Sequence, residues 1–163
     1  MIILGIDPGT TRIGFGIIKS AAGKLECIDY GLIPRSPTKN GPALSADEVM
    51  KDIARIIKKY KPGIAAVEKL FFFKNQKTII SVSEMRGVIL AALAINRVPI
   101  REFTPLQVKQ AVSSYGRAGK DQVQQMVRLI LNIKGAIKPD DAADGLAIAI
   151  CCANNVIYEK KLT

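Results

Sequence analysis

MIILGIDPGTTRIGFGIIK, residues 1–19, carries two apolar segments on either side of a Pro-Gly break. Residues 1–7 form an apolar run that closes on Asp7, Gly9-Thr10-Thr11 carries turn residues, and 12–19 alternates apolar with small or polar positions. An apolar run too short for a buried helix, broken by Pro and Gly and resumed with period two, predicts two strands joined by a turn. Ala21-Ala22-Gly23 supplies a second turn before a third strand over 25–33. The chain therefore opens on an antiparallel meander.

Helical spacing takes over downstream. In 45–60, Val49, Ile53, Ile56 and Ile57 form an apolar face, and Ser45 with Glu48 matches a capping box, which places the helix start at Ser45. Pro62-Gly63 ends that helix, and IAAVE (64–68) reads as a buried strand. The pattern continues with a long helix over 75–95, a strand over 98–103, helices over 105–113 and 120–131, and a last helix beginning near Asp141. Strands first, then strands alternating with helices, predict an α/β fold: one five-stranded mixed sheet flanked by helices on both faces. With no repeats, low-complexity segments or linker, residues 1–163 are expected to form a single domain.

Charge points to the partner. Twenty-four Lys and Arg against fourteen Asp and Glu give a net charge of +10, enough to draw the protein toward a polyanion such as nucleic acid. An anionic membrane is the competing partner, but the sequence has no Lys/Arg-plus-aromatic interfacial helix and no apolar run long enough to span a bilayer. The N-terminus lacks the basic start of a signal peptide, so a cytoplasmic location is expected. Cys27, Cys151 and Cys152 form no CxxC pair, and the chain contains no histidine. A Cys/His zinc site and every histidine-dependent nucleophile scheme are thereby excluded. Hydrolytic chemistry would fall to carboxylates.

Those carboxylates sit where apolar segments end. Asp7 closes the first strand and Glu68 closes IAAVE, so two strands each deliver an acid at the sheet edge where α/β folds gather ligands. Asp141 and Asp144 share one face of the last helix, which continues as GLAIAI. Helix capping explains such a pair equally well. Against that reading, an unpaired acid beside so apolar a segment would cost several kcal/mol in desolvation. Clustered carboxylates suit two Mg²⁺ ions about 4 Å apart, which can activate a water and stabilise the leaving oxygen in phosphodiester hydrolysis.

IDPGTTRIGFGII, VEKLFFFKN, FTPLQVKQAVSSYGRAGKDQVQQMV and DDAADGLAIAI, in that order and over nearly the whole chain, resemble the RuvC-type crossover-junction endodeoxyribonucleases. The first motif alone also resembles the phosphate loop of sugar kinases and actin-like ATPases, but four in register are specific. The resemblance implies a ribonuclease H-like fold, a homodimer and Mg²⁺-dependent symmetric nicking of four-way DNA junctions, with Mn²⁺ a possible substitute. A branch-migration motor complex is an expected partner on the same ground. Carried onto this chain, the catalytic and metal-binding acids are Asp7, Glu68, Asp141 and Asp144, and the D-A-A-D pattern begins at Asp141, which leaves Asp140 a bystander. Phe71 takes the place of an aromatic that reaches the junction, with Lys74 beside it; Lys109, Arg117 and Lys120 match or flank basic positions near the cut. Ordinary packing remains an alternative for Phe71, and a solvated helix face for each lysine. Cys152 stands where relatives often carry histidine, and Gly145 where they often carry alanine.

Helix 75–95 has a broader apolar surface than a single core-facing stripe requires, which suggests a two-fold interface. Three rival readings are a nucleic-acid-binding module without cleavage, an ATPase using the DPGTT turn, and an RNA-directed nuclease. The intact acids argue against the first, and the chain has no room for the second domain that the ATPase needs. The FFFKN and QVK stretches favour junction DNA over RNA.

Overall fold

The computed structural model describes residues 1–9, 11–34, 42–70 and 76–162. Three strands come first: β1 (Ile2–Asp7), β2 (Arg12–Ala21) and β3 (Lys24–Pro34). There follow α1 (Pro42–Tyr60), β4 (Ile64–Glu68), α2 (Gln76–Ile95), β5 (Ile100–Phe103), α3 (Pro105–Ser113), α4 (Lys120–Ile130) and α5 (Asp140–Leu162). The sheet runs β3-β2-β1-β4-β5. Its first three strands are antiparallel, and β4 and β5 join β1 in parallel, giving the expected mixed sheet of five strands.

Period two sorts the strand residues between two cores. Leu4, Ile6, Ile13, Ile17, Ala65 and Val67 point to one face, where Val49 and Ile53 of α1 and Met85 and Ile89 of α2 cover them. Ile3, Ile18, Ile64 and Ala66 point to the other, against Val108 of α3, Val123 of α4 and Leu146 of α5. Helix α5 lies directly on β1 and β2, and glycine makes that approach possible. A Cβ on Gly145 would stand 2.8 Å from the Gly16 nitrogen and 2.6 Å from the Phe15 carbonyl carbon. An alanine at Gly145 would have to lift the helix from the sheet.

Several boundaries differ from the sequence reading by a few residues at most, and two of the differences have a plain physical reason. Helix α1 begins at Pro42, so Ser45 lies inside it and is not its cap. Proline suits a first helical turn because its missing N–H needs no partner there. Strand β5 begins at Ile100 rather than residue 98. The Val98 N–H is spent on the Leu93 carbonyl at 3.0 Å, closing the end of α2, and Pro99 has no N–H to offer a ladder. Helix α5 starts at Asp140, in keeping with the expected start near Asp141. The three cysteines are free thiols, Cys151 and Cys152 buried and Cys27 partly so.

Candidate active site

Strand periodicity builds the site. Ile3, Gly5 and Asp7 alternate onto the α5 face of β1, and Ile64, Ala66 and Glu68 do the same on β4. The parallel register pairs Ile6 with Val67, so Asp7 and Glu68 end neighbouring strands one residue further on. Asp141 and Asp144 reach the same place from the first turns of α5. Carboxylate oxygens of Asp7, Asp141 and Asp144 all lie within 4.8 Å of one another. Glu68 stands outside that triplet but lines a cavity of about 300 Å³ together with Asp7 and Asp144.

Two lysines face the acids. Lys109 and Lys120 both line the cavity. Helix α3 is fixed in place by Thr104, whose hydroxyl accepts from the Gln107 N–H while the Gln107 side chain accepts from the Thr104 N–H. This reciprocal cap sets the start of the helix that carries Lys109. Lys120 opens α4; its Nζ is 3.9 Å from Asp144 Oδ2 and 3.6 Å from Asp140 Oδ2. Asp140, expected to be a bystander, is thus an ion-pair partner of an active-site lysine.

Burial and mutual repulsion make the acids reluctant to ionise together. The Asp7 carboxyl is pushed up to about 8 by desolvation, then by Glu68, Asp144 and Asp141, with Lys120 pulling the other way. Desolvation and Asp144 raise Glu68 to about 7 against the pull of Lys109. Asp144 rises to about 6, mainly through desolvation, which Lys120 partly offsets. Close carboxylates in this state favour a cation between them. Every donor in the cluster is a carboxylate oxygen, which fits a hard divalent ion such as Mg²⁺ and offers a soft metal nothing.

Of the residues singled out from sequence, the fold brings Asp7, Glu68, Asp144, Lys109 and Lys120 around one cavity and sets Asp141 against two of those acids. Arg117 is exposed on the turn between α3 and α4, outside the cavity lining. Gly116 lies close over α3, where an added Cβ would meet the Leu106 and Gln110 side chains. Phe71 and Lys74 lie outside the described residues. One participant escaped the sequence reading. Arg86 of α2 donates through Nε to the Glu68 carbonyl at 3.2 Å and forms an ion pair with Glu102 of β5. It ties the ends of β4 and β5 to the helix behind them, and no local pattern marks it.

Comparison with known proteins gives one answer. Residues 3–152 match the family described as crossover junction endodeoxyribonuclease RuvC. The protein of that name from Halothermothrix orenii is 49% identical over 161 residues, covering 99% of this chain and 97% of the relative. That of Clostridioides difficile is 49% identical over 162 residues, 99% of this chain and 95% of the relative. Among solved structures, Thermus thermophilus RuvC in complex with Holliday junction substrate superposes with a TM-score of 0.88 at 32% identity, covering 98% of this chain and 96% of the other. A yeast mitochondrial Holliday junction resolvase, 13% identical, shares the fold with a TM-score of 0.69 over 98% of this chain and 82% of its own. The sheet is the ribonuclease H-like one, and the chain belongs to the RuvC family of crossover junction endodeoxyribonucleases.

Proposed function

We propose that the protein resolves four-way DNA junctions, cutting phosphodiester bonds at the acid cavity by Mg²⁺-dependent hydrolysis, with residues 1–163 as one nuclease domain. The observation that carries this reading is the convergence of Asp7, Glu68 and Asp144 on one cavity, with Asp141 beside them and Lys109 and Lys120 on its wall. Asp7, Glu68, Asp141 and Asp144 would hold the metal; bound divalent ions supply an activated water and neutralise the charge that builds on the leaving oxygen. Lys109 and Lys120 hold the substrate phosphate against the acids and offset its charge. The apolar walls given by Val108, Val123 and Ala147 limit water around the reacting group.

Paired cuts on a two-fold symmetric junction call for two such sites. Helix α2 leaves Ile80, Ser83, Glu84, Gly87, Ala91, Ala94 and Ile95 exposed, a stripe of mostly small and apolar residues with Glu84 among them, on the side away from Met85 and Ile89. Its small residues allow another helix to approach closely, and we assign this stripe to a homodimer interface. A branch-migration motor is the partner that would place such a dimer on a junction. Among the described residues no helix is long and apolar enough to cross a membrane.

The test is to incubate the purified protein with a synthetic four-way junction, with and without Mg²⁺, beside linear duplex and RNA–DNA hybrid controls. Metal-dependent paired nicks in the junction alone are expected. Cutting of the hybrid in preference to the junction would overturn the substrate assignment. A monomeric mass in light scattering at micromolar concentration would remove the dimer.

A further inference from the structure

A second groove, of about 570 Å³, adjoins the acid cavity and is lined by Arg12, Lys120, Lys138, Pro139, Asp140 and Asp141. The two share Lys120, and the carboxylate triplet stands on the divide: Asp7 and Asp144 line the cavity, Asp141 the groove. The groove therefore opens from the acid cavity across the carboxylate triplet.

The sequence explains why two cations stand there. Along β2, Arg12, Gly14 and Gly16 point to one face. Gly14 and Gly16 lie under Asp141 and Leu146 of α5, so Arg12, at the beginning of the strand, emerges just beyond the first turn of that helix. Lys138 lies in the segment leading into α5, next to Ile137, whose buried side chain anchors it. Both cations are exposed, and among the described residues neither has an ion-pair partner. The acids of the groove are otherwise engaged: Asp140 pairs with Lys120, and Asp141 belongs to the triplet. Two exposed cations beside a phosphodiester-cutting centre match the chemistry of a neighbouring phosphate.

We propose that Arg12 and Lys138 bind a DNA phosphate adjacent to the scissile one and so set the register of the cut strand over the acids. They are positioning residues, and the inference rests on the nuclease reading above. It makes the groove a second phosphate subsite and gives the strand a fixed path from the acid cavity, past Lys120, toward the start of β2.

Two measurements test it. The first is junction binding in EDTA across a salt series, which needs no cleavage. For the Arg12→Ser/Lys138→Ser double variant the slope of log K against log salt should become shallower by roughly 0.7 to 0.9, the loss of one neutralised phosphate. The charge-preserving Arg12→Lys/Lys138→Arg variant should keep the wild-type slope. An unchanged slope in the Ser variant, with an unchanged melting temperature, would overturn the proposal. The second uses junctions carrying one neutral methylphosphonate at each position flanking the cut. At one flanking position the substitution should slow wild-type cleavage by about tenfold or more and slow the double variant no further. Additive losses at every position would overturn the groove assignment while wild-type cutting of the unmodified junction upheld the nuclease reading. A wild-type protein that cut no junction would overturn the nuclease reading and, with it, the assigned register.

Discussion

Gly14 of β2 lies directly beneath the backbone carbonyl of Asp141 at the start of α5, with no room between them for a Cβ. The sheet thus sets the height of the helix turn that carries two of the four acids. Gly14→Ala should lift that turn, at a packing cost of about 1–3 kcal/mol. Cleavage should fall more than stability suggests, because metal-holding groups tolerate little displacement. Melting temperature, metal-free junction binding and cleavage rate, measured together, check this: the first and third should drop while binding persists. Full activity would mean that the first turn of α5 can shift without moving Asp141 and Asp144.

The raised carboxyls make the metal-free protein pH-sensitive in a stated direction. Between the ordinary values of Asp7, Glu68 and Asp144, 3.8 to 4.5, and their folded values of about 8, 7 and 6, the folded state holds more protons than the unfolded. Stability must then fall as pH rises through that window. Thermal melts in EDTA should show a lower midpoint near pH 8 than near pH 5, and Mg²⁺ should recover more stability at the higher pH because it binds the deprotonated acids. An EDTA midpoint that climbs from about pH 5 to pH 8 would contradict the buried-acid cluster.

Much of this was legible in residues 1–68. Period two in IILGID and IAAVE fixes which face Asp7 and Glu68 occupy, since a one-residue slip would move them to the α1–α2 side. Spacing i, i+3 likewise puts Asp141 and Asp144 on one face of a helix. What stayed hidden depends on contacts distant in sequence. Lys120 meets Asp140 only because α4 packs beside the start of α5, and Arg86 reaches Glu68 and Glu102 only because α2 crosses behind β4 and β5. Ser45 and Glu48 fit a cap pattern that predicts the α1 start three residues late, because local pattern alone gives Pro42, which also suits a first helical turn, no greater weight.

Arg86 offers a test of support from behind the site. It is not part of the cavity lining, its side chain pairs with Glu102 of β5, and its bond to the Glu68 carbonyl holds the end of β4. Arg86→Ala should weaken Mg²⁺ affinity by about tenfold or more, raising the Mg²⁺ midpoint of cleavage, as removal of a group orienting a ligand does, with little change in junction affinity. Arg86→Lys keeps the charge but not the fork that spans two strands, and should restore only part of the loss. Titrating Mg²⁺ in cleavage assays of both variants gives the measurement. An unchanged Mg²⁺ midpoint in Arg86→Ala would assign Arg86 to packing alone.

Asp7→Asn separates function from stability. The Asp7 carboxyl carries the largest burden of the cluster: desolvation first, then repulsion from Glu68, Asp144 and Asp141. Asparagine keeps the shape, removes the charge and withdraws an oxygen donor from the triplet. Cleavage should be lost while junction binding persists, because the basic wall of Lys109 and Lys120 is untouched. Meanwhile the metal-free protein should become more stable, by roughly 2–4 °C in melting temperature for each kcal/mol of penalty relieved. That gain carries its own pH signature: near pH 5 the folded wild type already holds a proton on Asp7, so the variant gains little, and the difference should widen toward pH 8. A variant less stable than wild type at both pH values would mean that Asp7 is held by favourable contacts instead of strained by its neighbours. The case for a cation at this site would then lose its electrostatic basis.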